Sequence, residues 1–231
     1  PFWLSLGFVP LIAVGALWGG WWLAPALLYA FGVVTALDAL LGLNTDNPDP
    51  RTPQADLFWY RLVTLIWFPV QMVLIFGTLW FITRHSALTW HEVLILFFAV
   101  GVASGGVGIV YAHELMHQKS KLERWLGDLL MASTLYSHFR SEHLRVHHLW
   151  VGTPRDAVTA RYNEGFWRFF PRVLARGPVS AWRAEVAMLA RAGKSPLNRA
   201  NPFWRYAALQ AGFMALAAAI GGWAGLGLFV W

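Results

Sequence analysis

Six of the eight histidines in this 231-residue chain lie between His113 and His148. They fall into two groups. One is His113-Glu114-Leu115-Met116-His117; the other is Glu142-His143-Leu144-Arg145-Val146-His147-His148, with His138 just ahead of it. Residues four apart on a helix share a face. His113 and His117 are therefore expected to aim at one point, and His143 and His147 at another, with His148 one step further round. Imidazole suits Zn, Fe, Cu and Ni. A lone histidine is usually a satisfied polar side chain. Five imidazoles buried together without partners would be costly, and a bound metal removes that cost. His113, His117, His143, His147 and His148 are thus the candidate metal ligands. Glu114, Glu142 and Asp156 are candidates to accept hydrogen bonds from ligand ring N–H groups and raise ligand basicity. Surface ion pairs with nearby arginines are the plainer reading of the same acids. His138 is assigned to the surroundings of the centre or to a structural place. His85 and His91 are expected at the opposite membrane interface.

The HELMH pattern also fits the H-E-x-x-H signature of zinc proteases, in which the glutamate is the general base. A zincin needs those two histidines and one further ligand. That reading leaves His143, His147 and His148 without a task. A haem protein would want histidines on facing spans, whereas these sit in close pairs at the end of one span. Cysteine is absent, which excludes disulfides, iron–sulfur clusters and thiolate zinc sites.

The elements that must position these histidines are membrane helices. The chain is 57% hydrophobic and only 13% charged, where a soluble domain carries about 25% charged residues. That balance excludes disorder and binding to nucleic acid through a basic tail. A span needs about 20 mostly apolar residues. Residues 1–43 hold one charge, Asp38, and are expected to form two short spans broken near Gly19–Gly20. Without a basic leader and with more spans following, this is not read as a signal peptide. The stretch 44–55 is rich in Pro, Asp and Asn and reads as a loop. Spans are expected at 57–82, with Arg61 reaching for the membrane edge, at 91–117, and at 206–231. Small residues at 101–106 suit close helix packing.

Between the last two spans lies a basic region, 118–205. Residues 119–205 hold 15 of the 18 Lys and Arg against six acids, a net +9. Basic loops stay in the cytoplasm, so this cap is expected inside, near anionic headgroups or docked to an acidic protein. Within it, 125–137 is apolar but too short to cross. Phe166 to Arg176 alternates aromatic and basic residues. Residues 180–192 carry an amphipathic pattern that places Trp182, Val186, Leu189 and Ala190 on one face. The predicted fold is all-α: one polytopic membrane helix bundle over 1–231 with a helical, histidine-rich cytoplasmic cap.

The pair H-x3-H plus E-H-x3-H-H after a membrane span resembles the histidine boxes of integral-membrane di-iron oxygenases, a superfamily that includes fatty-acid desaturases and alkane hydroxylases. HELMHQKSKLERWLG, YSHFRSEHLRVHH and VGTPRDAVTARYNEGFWRFFPR are similar to the alkane 1-monooxygenase branch, as are LDALLG at 37–42 and NP at 47–48. The resemblance runs over most of the chain and is most specific from Tyr111 to Arg172. It implies six spans, of which about five are present, and a cap that holds two non-haem irons. It further implies O2 as co-substrate, rubredoxin as an acidic electron donor and terminal hydroxylation of linear alkanes. The expected setting is the bacterial inner membrane, with the site facing the cytoplasm. By motif match, the five candidate ligands take ligand positions. The family has two more elements, an N-x-x-E-H stretch and a final H-S-D-H-H box, which this sequence lacks. The chain is therefore expected to be C-terminally incomplete and inactive alone. Related xylene- or fatty-acyl hydroxylases and desaturases are the nearest alternatives, and a membrane zinc metalloprotease is the alternative of another class.

Overall fold

The computed structural model describes residues 2–42 and 57–231. The loop expected at 44–55, with NP at 47–48, lies outside the described residues. The described elements are helices: α1 (Phe2–Trp18), α2 (Gly20–Leu41), α3 (Phe58–His85), α4 (Trp90–Met116), α5 (Lys121–Ser133), α6 (139–150), α7 (Phe166–Arg191) and α8 (Phe203–Val230). No strand occurs among the described residues. Four helices, α2, α3, α4 and α8, are long and apolar enough to cross a bilayer. The protein is an all-α polytopic membrane protein. Five spans were expected here. The remaining one corresponds to α1, a shorter apolar helix that ends at the reversal that starts α2.

Contacts divide the chain into two compact units. The first comprises Pro1–Leu130 and Phe213–Trp231. Its α1–α2 reversal falls at Gly19 (φ +59°) and Gly20 (φ +54°), left-handed conformations that glycine adopts without steric cost. The Gly20 N–H donates to Glu92 Oε1 at 2.7 Å, while the Thr89 N–H donates to Glu92 Oε2 at 2.8 Å. One carboxylate thus caps α4 and ties down the α1–α2 turn. Deeper in, Trp67 Nε1 donates to Gln71 Oε1 at 2.8 Å, and both side chains are fully buried. Polar groups at membrane depth need such internal partners. The Gln71 amide fits only because residue 108 is glycine: a Cβ there would collide with it. The close approach on α4 is therefore at Gly108. Within the expected stretch 101–106, Ala103 and Ser104 are buried, while Gly101, Gly105 and Gly106 face open space.

The end of α4 that carries His113 and His117 is braced by two contacts. Gly127 of α5 lies where a Cβ would come 3.0 Å from the Ala112 carbonyl oxygen. Arg61 of α3 bonds Glu123 of α5 through Nη2 at 2.7 Å and Nε at 3.1 Å. Arg61, in the first turn of α3, thus finds its partner in a buried acid on α5.

The expected last span is interrupted. Gly221 and Gly222 leave helical geometry, Gly222 at φ +61°, and the following turns fold back. Phe76 of α3 stacks on both Phe213, before the break, and Phe229, after it, at 5.8 and 5.7 Å. A straight helix would hold two residues sixteen apart about 24 Å from one another. The uniform hydropathy of 206–231 gave no sign of this reversal.

The second unit is Met131–Gly212. Its core is α7 laid against α6. The residues of α7 that turn inward are Val173, Gly177, Ala181, Glu185 and Leu189, every fourth position. The face expected over 180–192 is thereby corrected: Leu189 belongs to it, Ala190 is exposed, and the buried neighbour is a carboxylate. Glu185 accepts from the Ser141 hydroxyl at 2.6 Å and from Arg145 Nε at 2.8 Å. A search for apolar residues alone passes over a charged member of a buried stripe.

The α8 reversal rests on Gly225, where a Cβ would stand 2.6 Å from the Ala217 carbonyl oxygen. Gly225→Val should force the two arms apart and destabilise the first unit by about 1–3 kcal/mol, as overpacking does. Thermal unfolding in detergent should show a lower Tm, and Gly227→Val, which meets open space, should show much less.

Candidate metal centre

His113 and His117 close α4 in the first unit. Their rings sit one turn apart, with centroids 4.8 Å apart and planes at 74°. Glu114 is largely exposed and comes only to 3.3 Å of His113 Nδ1. A glutamate turned along the surface is poorly placed to serve as the buried base of a zinc protease.

In the second unit α6 departs from the expected α-helix. His143–His147 is a π turn. The wider turn brings both i+4 and i+5 beside residue i. His143 consequently meets His147, with ring centroids 5.4 Å apart, and His148, at 4.4 Å. The Nε2 atoms of His143 and His148 are 2.9 Å apart. Two imidazoles can approach so closely when one donates N–H to the other or when both lone pairs serve one cation. The sequence motif H-x3-H-H is therefore read by a π turn. An α-turn would have left His148 off the shared face. Single π turns inside α-helices are frequent at functional sites.

His147 is held by its other nitrogen. Nδ1 lies 2.9 Å from Asp156 Oδ2. The Asp156 side chain is fully buried. Burial alone would push its carboxyl up, but the Thr159 hydroxyl (2.5 Å), the Val158 N–H (3.0 Å) and His147 outweigh that and hold it below the ordinary carboxylate value. An ionised carboxylate only accepts, so His147 donates from Nδ1 and keeps its Nε2 lone pair for a ligand. This is the arrangement by which carboxylates orient metal-binding histidines. Asp156 thus meets the ring of one candidate ligand, His147. Thr159, which completes its hydrogen bonds, was missed, since nothing in a loop threonine marks it.

Glu142 precedes His143 and is fully buried, and neither carboxylate oxygen has a hydrogen-bond partner. Burial pushes its carboxyl up to about 7, the charge of Asp156 adds to this, and His147 opposes it. An orphaned buried carboxylate beside imidazoles suits a cation, because neutral imidazoles bring no negative charge of their own. The donor set fits a metal on these grounds: imidazole nitrogens converging from α6, one of them oriented by Asp156, and an unmatched acid alongside. His138 packs its ring on Tyr136 at 4.5 Å and has a buried Nε2 without a hydrogen-bond partner. Gly177 of α7 lies opposite, leaving that nitrogen room. Burial lowers the His138 pKa to about 4, so the ring is neutral at pH 7. His85 and His91 lie at the other end of α3 and α4 from His113, against Trp80 and Trp90.

Membrane-length helices with imidazole clusters at a helix end define a polytopic membrane protein built to present nitrogen ligands. Residues 88–231 match the fatty acid desaturase family, and the chain belongs to that family. Over 87% of its length it is 30% identical to alkane 1-monooxygenase 2 of Pseudomonas aeruginosa, covering 54% of that protein. It is 29% identical over 99% of its length to alkane 1-monooxygenase 2 of Alcanivorax borkumensis, covering 62% of it. It is 26% identical over 90% of its length to the xylene/toluene monooxygenase hydroxylase component of Pseudomonas putida, covering 56%. The chain spans little more than half the length of these relatives.

Folded His138 refuses a proton until about pH 4, whereas an unfolded histidine takes one near its ordinary 6.5. Stability should therefore fall as pH drops from 6.5 towards 4. Metal-free His138→Gln should lose part of that slope, measured as Tm against pH.

Proposed function

We propose that the protein is a large part of a membrane non-haem di-iron monooxygenase that hydroxylates the terminal carbon of linear alkanes. His113, His117, His143, His147 and His148 would hold iron, together with ligands from the remainder of the full-length protein. The observation that carries this is the His147–Asp156 pair beside the converging Nε2 atoms of His143 and His148. Family membership and the alkane 1-monooxygenase relatives support the reading. A relative acting on xylene or toluene keeps an aromatic hydrocarbon as the second substrate reading.

An alkane offers no polar handle, and no side chain oxidises a C–H bond; the bound irons with O2 would supply that oxidant. The protein's own tasks are simpler. Asp156 fixes the tautomer of His147. Glu142 offsets metal charge. The π turn of α6 holds three rings at one place. The apolar spans give a hydrocarbon substrate a route from the bilayer, where such molecules partition. The basic excess over 119–205 supports a cytoplasmic site and an acidic electron donor, for which rubredoxin is the candidate. The bacterial inner membrane is the corresponding location.

Metal analysis of the purified full-length protein should find two irons per chain and no zinc. His143→Ala should lose iron and abolish conversion of alkane to 1-alkanol, followed by gas chromatography. One zinc with Glu114-dependent peptide cleavage would instead establish the protease.

A further inference from the structure

Asp156 can orient His147 only while its own loop keeps its shape. Residues 151–165 join α6 to α7 and contain no helix or strand. Yet their backbone is tightly specified from one side chain, Arg172, on the second turn of α7. Its Nη1 donates to the Ala157 carbonyl at 2.7 Å, and its Nη2 to the Thr159 carbonyl at 3.0 Å. Nε and Nη2 also engage the two oxygens of Glu164 at 2.8 and 2.6 Å. Both side chains are largely buried, at 12% and 8% exposure. Glu164 closes the far end of the loop by accepting the Arg161 N–H at 2.9 Å.

The two carbonyls gripped by Arg172 straddle the turn that loads Asp156. Val158, between them, donates its N–H to Asp156 Oδ1, and Thr159 donates its hydroxyl to Oδ2. The Thr159 hydroxyl oxygen in turn accepts the Gly152 N–H at 3.0 Å, which ties in the start of the loop. An unbroken chain of contacts therefore runs from Glu164 through Arg172 to the 157–159 backbone, to Asp156 and to Nδ1 of His147. A plain surface ion pair contributes little and would not need two carbonyls between the partners. A guanidinium is required for this task. Its planar fork meets a carboxylate and two carbonyls at once, which a lysine ammonium does not.

We propose that Arg172 is a positioning residue for the metal centre: through the 157–159 backbone it holds Asp156 on His147 Nδ1, so that the Nε2 lone pair is fixed for ligation. The inference rests on the proposed metal centre for its purpose, but the clamp is measurable without metal.

The test uses the full-length protein in nanodiscs with 15N-labelled histidine. In the metal-free wild type, His147, assigned by its loss in His147→Gln, should show a hydrogen-bonded Nδ1–H. In Arg172→Lys that signal should give way to a mixture of tautomers. Fe(II) affinity should fall about 10–100-fold, the usual effect of removing a ligand's orienting partner. Asp156→Asn should cost a similar factor, and the double variant should be no weaker than Asp156→Asn alone, since both act on one bond. Should Arg172→Lys fail to fold, Glu164→Gln loosens the same clamp and should shift the His147 tautomer in the same direction. An unchanged Nδ1–H signal in the clamp variants, or losses that multiply in the double variant, would overturn the proposal. A wild type that binds no iron while its His147 tautomer still follows Arg172 would refute the metal centre and leave the clamp standing.

Discussion

A metal-ligating imidazole almost always commits its other nitrogen to a hydrogen bond, which fixes tautomer and orientation. At the candidate ligand His147 that bond runs from Nδ1 to Asp156. The bond needs an ionised acceptor in a buried place, where burial alone favours the neutral acid. Hydrogen bonds from Thr159 and Val158 supply the compensation. Those donors exist only because the loop between α6 and α7 has one shape, and that shape depends on Arg172 and Glu164. Glu164 is held down at about 2, chiefly by the Arg172 fork and then by the Arg161 N–H. It therefore stays charged at any pH where the protein works. A single lone pair on one ring thus draws on charged groups up to twenty-five residues away in sequence.

Glu142 shows the opposite treatment of the same side-chain chemistry. It is as deeply buried as Asp156, yet no donor meets its oxygens. Natural interiors leave few such groups unmatched, and each one calls for a reason. In the proposed metal centre, a cation would supply the missing match. Of these two neighbouring acids, the protein satisfies Asp156 and leaves Glu142 open.

The membrane part follows a parallel economy of close approach. Helices in lipid gain little from the hydrophobic effect against one another and hold through packing and internal hydrogen bonds. Gly108 admits the Gln71 amide, Gly127 admits the Ala112 carbonyl, and Gly225 admits the Ala217 carbonyl. Two of these bear on the helix that presents His113 and His117. The third closes a reversal that hydropathy does not reveal, because a run of apolar residues reads alike whether it runs straight or doubles back.

Much was legible from the chain alone. Hydropathy marked the long helices, two glycines marked the α1–α2 turn, and histidine spacing marked the candidate ligands. These are local signals, in which residue type and short-range period carry the physics. Tertiary structure decided what depends on partners distant in sequence. It inserted the π turn that brings His148 to His143, placed Glu185 on a buried stripe beneath Arg145, paired Arg61 with Glu123, and folded α8 back at Gly221–Gly222. It also singled out Arg172 from fifteen basic residues in the cap. A side chain's role there is set by which carbonyls and carboxylates surround it, and that surrounding does not exist until the loop has closed.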